Sequence, residues 1–340
     1  MKTALCDVLG IEIPIIQAPI GNASCVDLAV AVSNAGGLGM LSASWRTTED
    51  LRRMVREIRD RTDRPFGVNL VLPWPEAQHQ LLTVCLEEGV PVISFFWGDP
   101  TPFLKRIDDD SVHTMLTVGS SADARAAVEK GIDIVVAQGF EAGGHVWGCV
   151  STLALVPNVV DAVGKVPVVA AGGVGDGRGI AAALALGAAG VWMGTRFVAT
   201  VESGAHPDYK EAILNAAEDD TVYTRLFDKG WPNAPHRVLR NSTVERSGSA
   251  ISGSDLQEHP GGEDIVGRTY DGTPIARFSD AEPLSGTTGE IEAMSLYAGE
   301  SCGVIHHVPK AAALVADLWE ETRVAINGGA RFFGKPIQPL

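Results

Sequence analysis

Short apolar runs without polar alternation recur from Ile15 to Met193, separated by stretches with helical spacing. The runs are Ile15–Gln17, Leu38–Leu41, Phe66–Val71, Val92–Phe95, Thr114–Val118, Ile134–Ala137, Val168–Ala171 and Gly190–Met193. Their length and their Val and Ile content predict strands covered on both faces, the pattern of a parallel sheet wrapped in helices. Helices are predicted over Thr47–Arg61, Pro75–Glu88, Ser121–Lys130 and Asp176–Leu186. Three junctions share one grammar: Gly89, Gly131 and Gly187 each end a helix, and a strand follows within about three residues. Repeated helix–glycine–strand units imply right-handed crossovers. Eight of them favour a closed (β/α)8 TIM barrel over an open doubly wound sheet.

Beyond Met193 the pattern changes. Pro207–Ala217 has helical spacing, but the residues after it are rich in Gly, Ser and Pro, from Gly230-Trp231-Pro232 to Leu284-Ser285-Gly286-Thr287-Thr288-Gly289. Residues 1–340 therefore read as a single barrel domain with an excursion over about 200–290 and closing helices over 290–327. Those closing helices are expected at Glu290–Tyr297 and Pro309–Ile326, the second burying Ala312, Val315, Leu318 and Trp319. A loop as long as the excursion builds small hairpins of its own or carries function.

Charge and composition narrow the class. With 27 basic and 42 acidic side chains the net charge is −15, a surface that repels nucleic acid. No apolar run reaches the ~18 residues of a membrane span. The apolar stretch at the N-terminus is also too short for a secretory leader, so a cytoplasmic protein is expected. The five cysteines form no C-x-x-C pair, which argues against a disulfide scaffold and a zinc knuckle. His306-His307 lacks a carboxylate at ligand spacing, and no metal site is expected. Nothing in the sequence fixes the oligomeric state, and a homodimer is compatible with it.

Two segments carry chemistry. After the seventh predicted strand comes Gly172-Gly173, and after the eighth comes Gly194-Thr195. Barrels commonly hold a phosphate with the loops in these two positions, where glycines let backbone N–H groups approach an anion. The other segment is Gln138-Gly139-Phe140-Glu141-Ala142-Gly143-Gly144-His145. Gln138 closes the sixth strand, and the glycines place His145 on an open loop at the barrel mouth. Its resting pKa near neutrality suits a proton acceptor. Trp74, Trp97 and Trp147 lie near strand ends and either line an apolar pocket or simply pack; Tyr297 and Arg196 are further candidates for the site. Ala35-Gly36-Gly37-Leu38-Gly39 resembles a dinucleotide fingerprint, but it follows a helix and reads as packing.

Together with Gln17-Ala18-Pro19-Ile20-Gly21, Gly67-Val68-Asn69, Met193-Gly194-Thr195 and Ala298-Gly299-Glu300-Ser301, these motifs resemble the nitronate monooxygenase family, formerly grouped as 2-nitropropane dioxygenases. The resemblance spans nearly the whole chain and implies an FMN-binding barrel. It implies that the backbone of Ala18, Pro19 and Ile20 touches the flavin ring, that Asn69 and Gln138 hydrogen-bond the cofactor, and that Gly143 and Gly144 pass close to it. Gly172, Gly173, Gly194 and Thr195 would hold its phosphate, with Trp192 and Met193 in the same cofactor-binding set. His145 matches the catalytic base. The implied reaction takes a nitronate or nitroalkane and O2 to a carbonyl compound and nitrite. Two departures stand out: Val146-Trp147-Gly148 follows His145 where the family often has Arg-Gly, and no lysine follows the fifth strand. An FMN- and NADH-dependent enoyl-ACP reductase shares the fold and the Glu-Ala-Gly-Gly-His motif and is the nearest rival. A flavin-free phosphate-binding barrel is the next.

Overall fold

The computed structural model describes residues 2–109, 111–247 and 261–330. Its centre is a sheet of eight parallel strands: β1 (Ile15–Gln17), β2 (Gly39–Ser42), β3 (Phe66–Val71), β4 (Val92–Phe96), β5 (His113–Val118), β6 (Ile134–Gln138), β7 (Val168–Ala171) and β8 (Gly190–Met193). From β2 to β8 each strand pairs with its predecessor or successor, and β8 returns to β1 with Ile15 opposite Val191. The seam between β1 and β2 is a single parallel bridge, Ile16 to Leu38. A side chain reinforces it: Gln17 Oε1 accepts from the Met40 amide at 3.0 Å, doing for this short strand what a further backbone carbonyl would do elsewhere. The ring is a (β/α)8 barrel, as the eight-unit pattern predicts.

Alternation along each strand sorts side chains to the two faces. Ile16, Met40, Val92, Met115, Ile134 and Val169 point inward and pack with Leu5, Cys6 and Leu9 of the N-terminal helix Ala4–Leu9, which plugs one end of the barrel. Gly67 and Gly190 stand where a Cβ would collide with the side chains of Met40 and Leu5. The outward set, including Leu41, Val68, Ile93, Val135 and Val191, joins the helices in the larger core. Helix Thr48–Arg61 shows how: Leu51, Met54, Val55 and Ile58 recur at i, i+3, i+4 and i+7 and are buried. Each such side chain contributes roughly 1.5–3 kcal/mol. Thr47 caps this helix by accepting from the Asp50 amide. At the three predicted junctions Gly89, Gly131 and Gly187 have φ of 63°, 91° and 95°, the left-handed helix ends the sequence calls for.

The last helix, Ala311–Ala330, lies against Gly177–Ala185 and Val26–Asn34 and so fills the outer position between β8 and β1. Gly177 meets the backbone of Glu321 and Thr322, and its amide donates to Glu321 Oε2 at 2.9 Å. Its buried face is Ala311, Leu314, Val315, Leu318 and Thr322; Ala312 is exposed and Trp319 only half-buried, so that part of the expected face is rotated by one position. The other expected closing helix does not form. Glu290–Tyr297 holds only one 3-10 turn, Ile291–Ala293, after which the chain extends. Its carbonyls are drawn sideways by the excursion: the Leu239 amide bonds Leu296 O at 2.8 Å, and Asn241 Nδ2 bonds Met294 O at 2.8 Å.

The excursion builds two small sheets. Thr221–Thr224 pairs antiparallel with His236–Leu239, which pairs in turn with Gly144–His145. Ile265–Arg268 pairs with Pro274–Ala276 on one side and with Thr288–Gly289 on the other. No described helix is long and apolar enough to cross a membrane.

Candidate active site

A cavity of about 680 Å3 opens over the C-terminal ends of the strands. The last inward side chains of the barrel form its floor: Ser42, Asn69, Thr117, Val136, Gln138, Ala171 and Trp192. Of the residues singled out by the sequence, Ala18, Pro19, Ile20, Asn69, Gln138, Gly143, Gly144, His145, Gly172, Gly173, Trp192, Gly194 and Thr195 all line it. Met193 does not. Strand alternation turns it away from Trp192 into the outer core, and only its carbonyl serves the site, accepting from Ala18 N at 2.9 Å.

The two glycine loops have the shape of an anion cradle. Gly172 and Gly173 have φ of 92° and 70°, and a Cβ on Gly173 would come within 3.0 Å of Glu141 Cγ. Gly194 has only Ile20 and Ala18 side-chain carbons near its Cβ direction, at 3.6 Å and beyond. The amides of Gly173 and Thr195 donate to no acceptor among the described residues. Thr195 Oγ1 is already engaged, accepting from Gly299 N at 3.0 Å. That bond ties the Ala298–Ser301 segment to the cradle, and Ser301 itself lines the cavity.

The polar floor is partly committed. Asn69 Oδ1 accepts from Ser94 Oγ at 2.7 Å, which orients its amide nitrogen as a donor. Gln138 acts mainly as a clamp: Nε2 donates to His145 O at 3.0 Å, and Oε1 accepts from Trp147 N at 2.9 Å. It therefore holds the His145–Trp147 loop, and its second amide hydrogen and one lone pair of Oε1 are left for a ligand. Gly143 lies against Gly299 and Ala298, where any Cβ would strike backbone. Gly144, with φ 72°, has open space at its Cβ position.

His145 is fixed from three sides. Its backbone pairs with His236, Trp231 stacks on its ring (centroids 4.1 Å apart, 27° between planes), and the Tyr297 ring lies 5.6 Å away. Its Nε2 is buried and finds no partner among the described residues. Burial, with a smaller contribution from His236, holds its pKa well below the usual 6.5, so the ring is neutral at physiological pH and able to accept a proton. His236 is also neutral, lowered to about 4 by burial. Its Nδ1 faces Ala234 O at 2.9 Å and its Nε2 accepts from Phe227 N at 3.3 Å.

Several site residues escape sequence reading. Trp231, Asp280, Glu282 and Arg46 line the cavity, and the first three come from the excursion. Burial raises Asp280 to about 6 and Glu282 to about 7, the latter despite the Asn22 and Ala23 amides that donate to it. Tyr297 is protonated, its pKa pushed well above 10 by burial, and its hydroxyl donates to Asp280 O at 2.9 Å. The one advance signal for Trp231 is a large aromatic between Gly230 and Pro232. Arg196 remains outside, its guanidinium bonded to Ala199 O and His307 O. Trp74, Trp97 and Trp147 stand behind the wall rather than in it: Trp74 and Trp97 contact Trp231, and Trp147 contacts Trp97.

A barrel with an anion cradle after β7 and β8, an open glycine at the mouth and an unpartnered imidazole Nε2 over the floor has the form of a flavin-dependent oxidoreductase. The comparisons agree. The model of the nitronate monooxygenase family matches residues 2–321, and the chain belongs to that family. It is 39% identical over 257 residues, 74% of this chain and 71% of the relative, to a Mycobacterium tuberculosis protein named (3aS,4S,5R,7aS)-5-hydroxy-7a-methyl-1-oxo-octahydro-1H-indene-4-carboxyl-CoA dehydrogenase. Among solved structures it is similar to FabK from Thermotoga maritima, with a TM-score of 0.83, 36% identity and coverage of 98% and 99% of the two chains. It is also similar to nitroalkane oxidase from Streptomyces ansochromogenes, with a TM-score of 0.78, 30% identity and coverage of 96% and 99%.

Proposed function

We propose that this enzyme binds FMN and works on the carbon next to the carbonyl of an acyl thioester, interconverting saturated and α,β-unsaturated acyl groups. The observation that carries the reading is His145 Nε2, buried, unpartnered and on the cavity wall. A neutral imidazole there removes an α-proton in the oxidative direction and, once protonated, returns one in the reductive direction. The cradle of Gly172, Gly173, Gly194 and Thr195 would hold the FMN phosphate, and Ala18–Ile20 with Asn69 would contact the ring. When bound, FMN supplies the hydride chemistry at the β-carbon. The chain's own residues do the rest. Gln138 fixes the loop that carries the base, and Trp231 and Tyr297 hold its ring in place and keep water away. The 39% identity to a carboxyl-CoA dehydrogenase and the 36% identity to FabK favour this reading over a nitro substrate.

Oxidation of nitronates or nitroalkanes with O2 is the second reading, favoured by the family match and by the 30% identity to nitroalkane oxidase. Both readings begin with a carbon acid and the same base. Anaerobic stopped-flow separates them: NADH or a saturated acyl-CoA is expected to bleach the bound flavin rapidly, and crotonyl-CoA to restore it. Nitrite release from nitronates, with no bleaching by the saturated acyl-CoA or by NADH, would put the second reading first. His145→Ala is expected to keep its flavin and to lose turnover by roughly 100-fold or more.

A further inference from the structure

Strands β3 and β4 stand across the ring from β7 and β8, with β2 beside them, and the loops sent to the mouth differ in kind. The phosphate cradle follows β7 and β8. Trp45, Trp74 and Trp97 follow β2, β3 and β4, and the excursion lays Trp231 among them. Trp231 is 6.3 Å from Trp45, 5.2 Å from Trp74 and 5.0 Å from Trp97, ring centre to ring centre. Trp97 takes its place with φ of 63°, a left-handed backbone that is costly for a bulky residue. Trp231 then stacks on His145, so the aromatic arc runs without a break to the base.

Its outer end is open. Trp45 is 46% exposed and Tyr270, at the tip of the excursion hairpin, is 83% exposed, yet both line the cavity. Large aromatics held at a cavity mouth offer flat apolar faces to whatever enters. A rigid ring gains most from such a wall, because it has few rotors to immobilise, whereas a linear chain of the same carbon count must freeze many.

We infer that the arc of Trp45 and Trp231, backed by Trp74 and Trp97 and faced by Tyr270, is a substrate subsite selecting a rigid alicyclic or polycyclic apolar group attached to the carbon acid. The inference rests on His145 acting on a carbon acid, and it holds for either head group. Trp45 and Tyr270 set the specificity at the mouth, while Trp97 packs edge-on against both Trp231 and the His145 ring.

The test compares matched pairs by anaerobic calorimetry on the full chain with its bound flavin already reduced by dithionite, a state that cannot oxidise any of the four compounds: cyclohexanecarboxyl-CoA against heptanoyl-CoA, and cyclohexylnitromethane against 1-nitroheptane. The ring compound is expected to bind about tenfold or more tightly than its linear partner. In Trp45→Ala and Tyr270→Ala, both at exposed positions that leave the core intact, the ratio should fall below about threefold. A ring preference in the thioester pair supports the inference and the thioester reading together. A ring preference confined to the nitro pair supports the subsite and overturns the thioester reading. Equal affinities within both pairs, a preference untouched by the two variants, or no binding by any of the four compounds would overturn the subsite.

Discussion

At His236 the fold has chosen a protonation state. The ring is fully buried, with Nδ1 facing one carbonyl and Nε2 accepting from the Phe227 amide, an arrangement that only the neutral form satisfies. Its pKa of about 4 lies below the usual 6.5, so between these values the unfolded chain binds a proton that the folded one does not. Stability from this residue is therefore complete above pH 6.5 and lost as pH falls towards 4, by about 3 kcal/mol in all. Asp280 and Glu282 work in the opposite sense. Their folded values of about 6 and 7 exceed those of free carboxylates, so their contribution is present in acid and lost as pH rises through those values. The net profile mixes both signs, and a variant isolates the histidine. In urea unfolding, the stability advantage of the native chain over His236→Gln is expected to shrink steadily from pH 7 to pH 4.5. An advantage that stays constant over that range would show that His236 titrates alike in both states. For His145, depressed by the same burial, turnover of a neutral carbon acid should stay level from pH 6 to 8.

At the scale of elements, the loop from Gln138 to His145 shows two glycines required for different reasons. Gly143 presses on the Ala298–Gly299 backbone, so Gly143→Ala must push apart main-chain segments that cannot yield as a side-chain tip would. Gly144 has room but a φ of 72°, so Gly144→Ala costs only the left-handed conformation, roughly 1–2 kcal/mol. By chemical denaturation the first variant is expected to lose clearly more stability than the second; equal losses would contradict the distinction. Neither reason is visible in a bare Gly-Gly pair. The barrel strands were legible because each is covered on both faces and carries that requirement in its own residues. Gln138 was legible for the same reason, since it closes its strand and alternation fixes its direction, whereas Asn69 and Trp192 came only through the family resemblance. The excursion was not. His236–Leu239 is a strand because Gly144–His145 and Thr221–Thr224 pair with it, and Glu290–Tyr297 extends because that strand and Asn241 claim its carbonyls. Such partners lie far off in sequence, and local periodicity does not record them.

Across the whole molecule, the mouth divides into two arcs with separate tasks, and that division is itself testable. Among the described residues, the arc after β7 and β8 offers the cavity amides without acceptors and no large side chain; the arc after β2, β3 and β4 offers tryptophans, and the excursion bridges them by pairing with the His145 loop and placing Trp231 on its ring. If the first arc grips the cofactor phosphate, damage there should release flavin without changing which substrate is preferred. Gly173→Val is suited to this: its φ of 70° disfavours a branched residue, and the added carbons press on Cγ of Glu141, whose carboxylate accepts from the Thr152 amide, rather than on the barrel wall. The variant is expected to purify with well under half the flavin of the native protein, and the fraction that remains loaded should keep the native ring-to-linear preference. Trp45→Ala should show the mirror image, full flavin with the preference lost. The exposed position of Trp45, after β2 and on the far side of β1 from the cradle, gives no route by which its removal would loosen the phosphate. Full flavin content in Gly173→Val would remove the cradle from the account, and flavin loss in Trp45→Ala would mean that the two arcs serve one ligand rather than two.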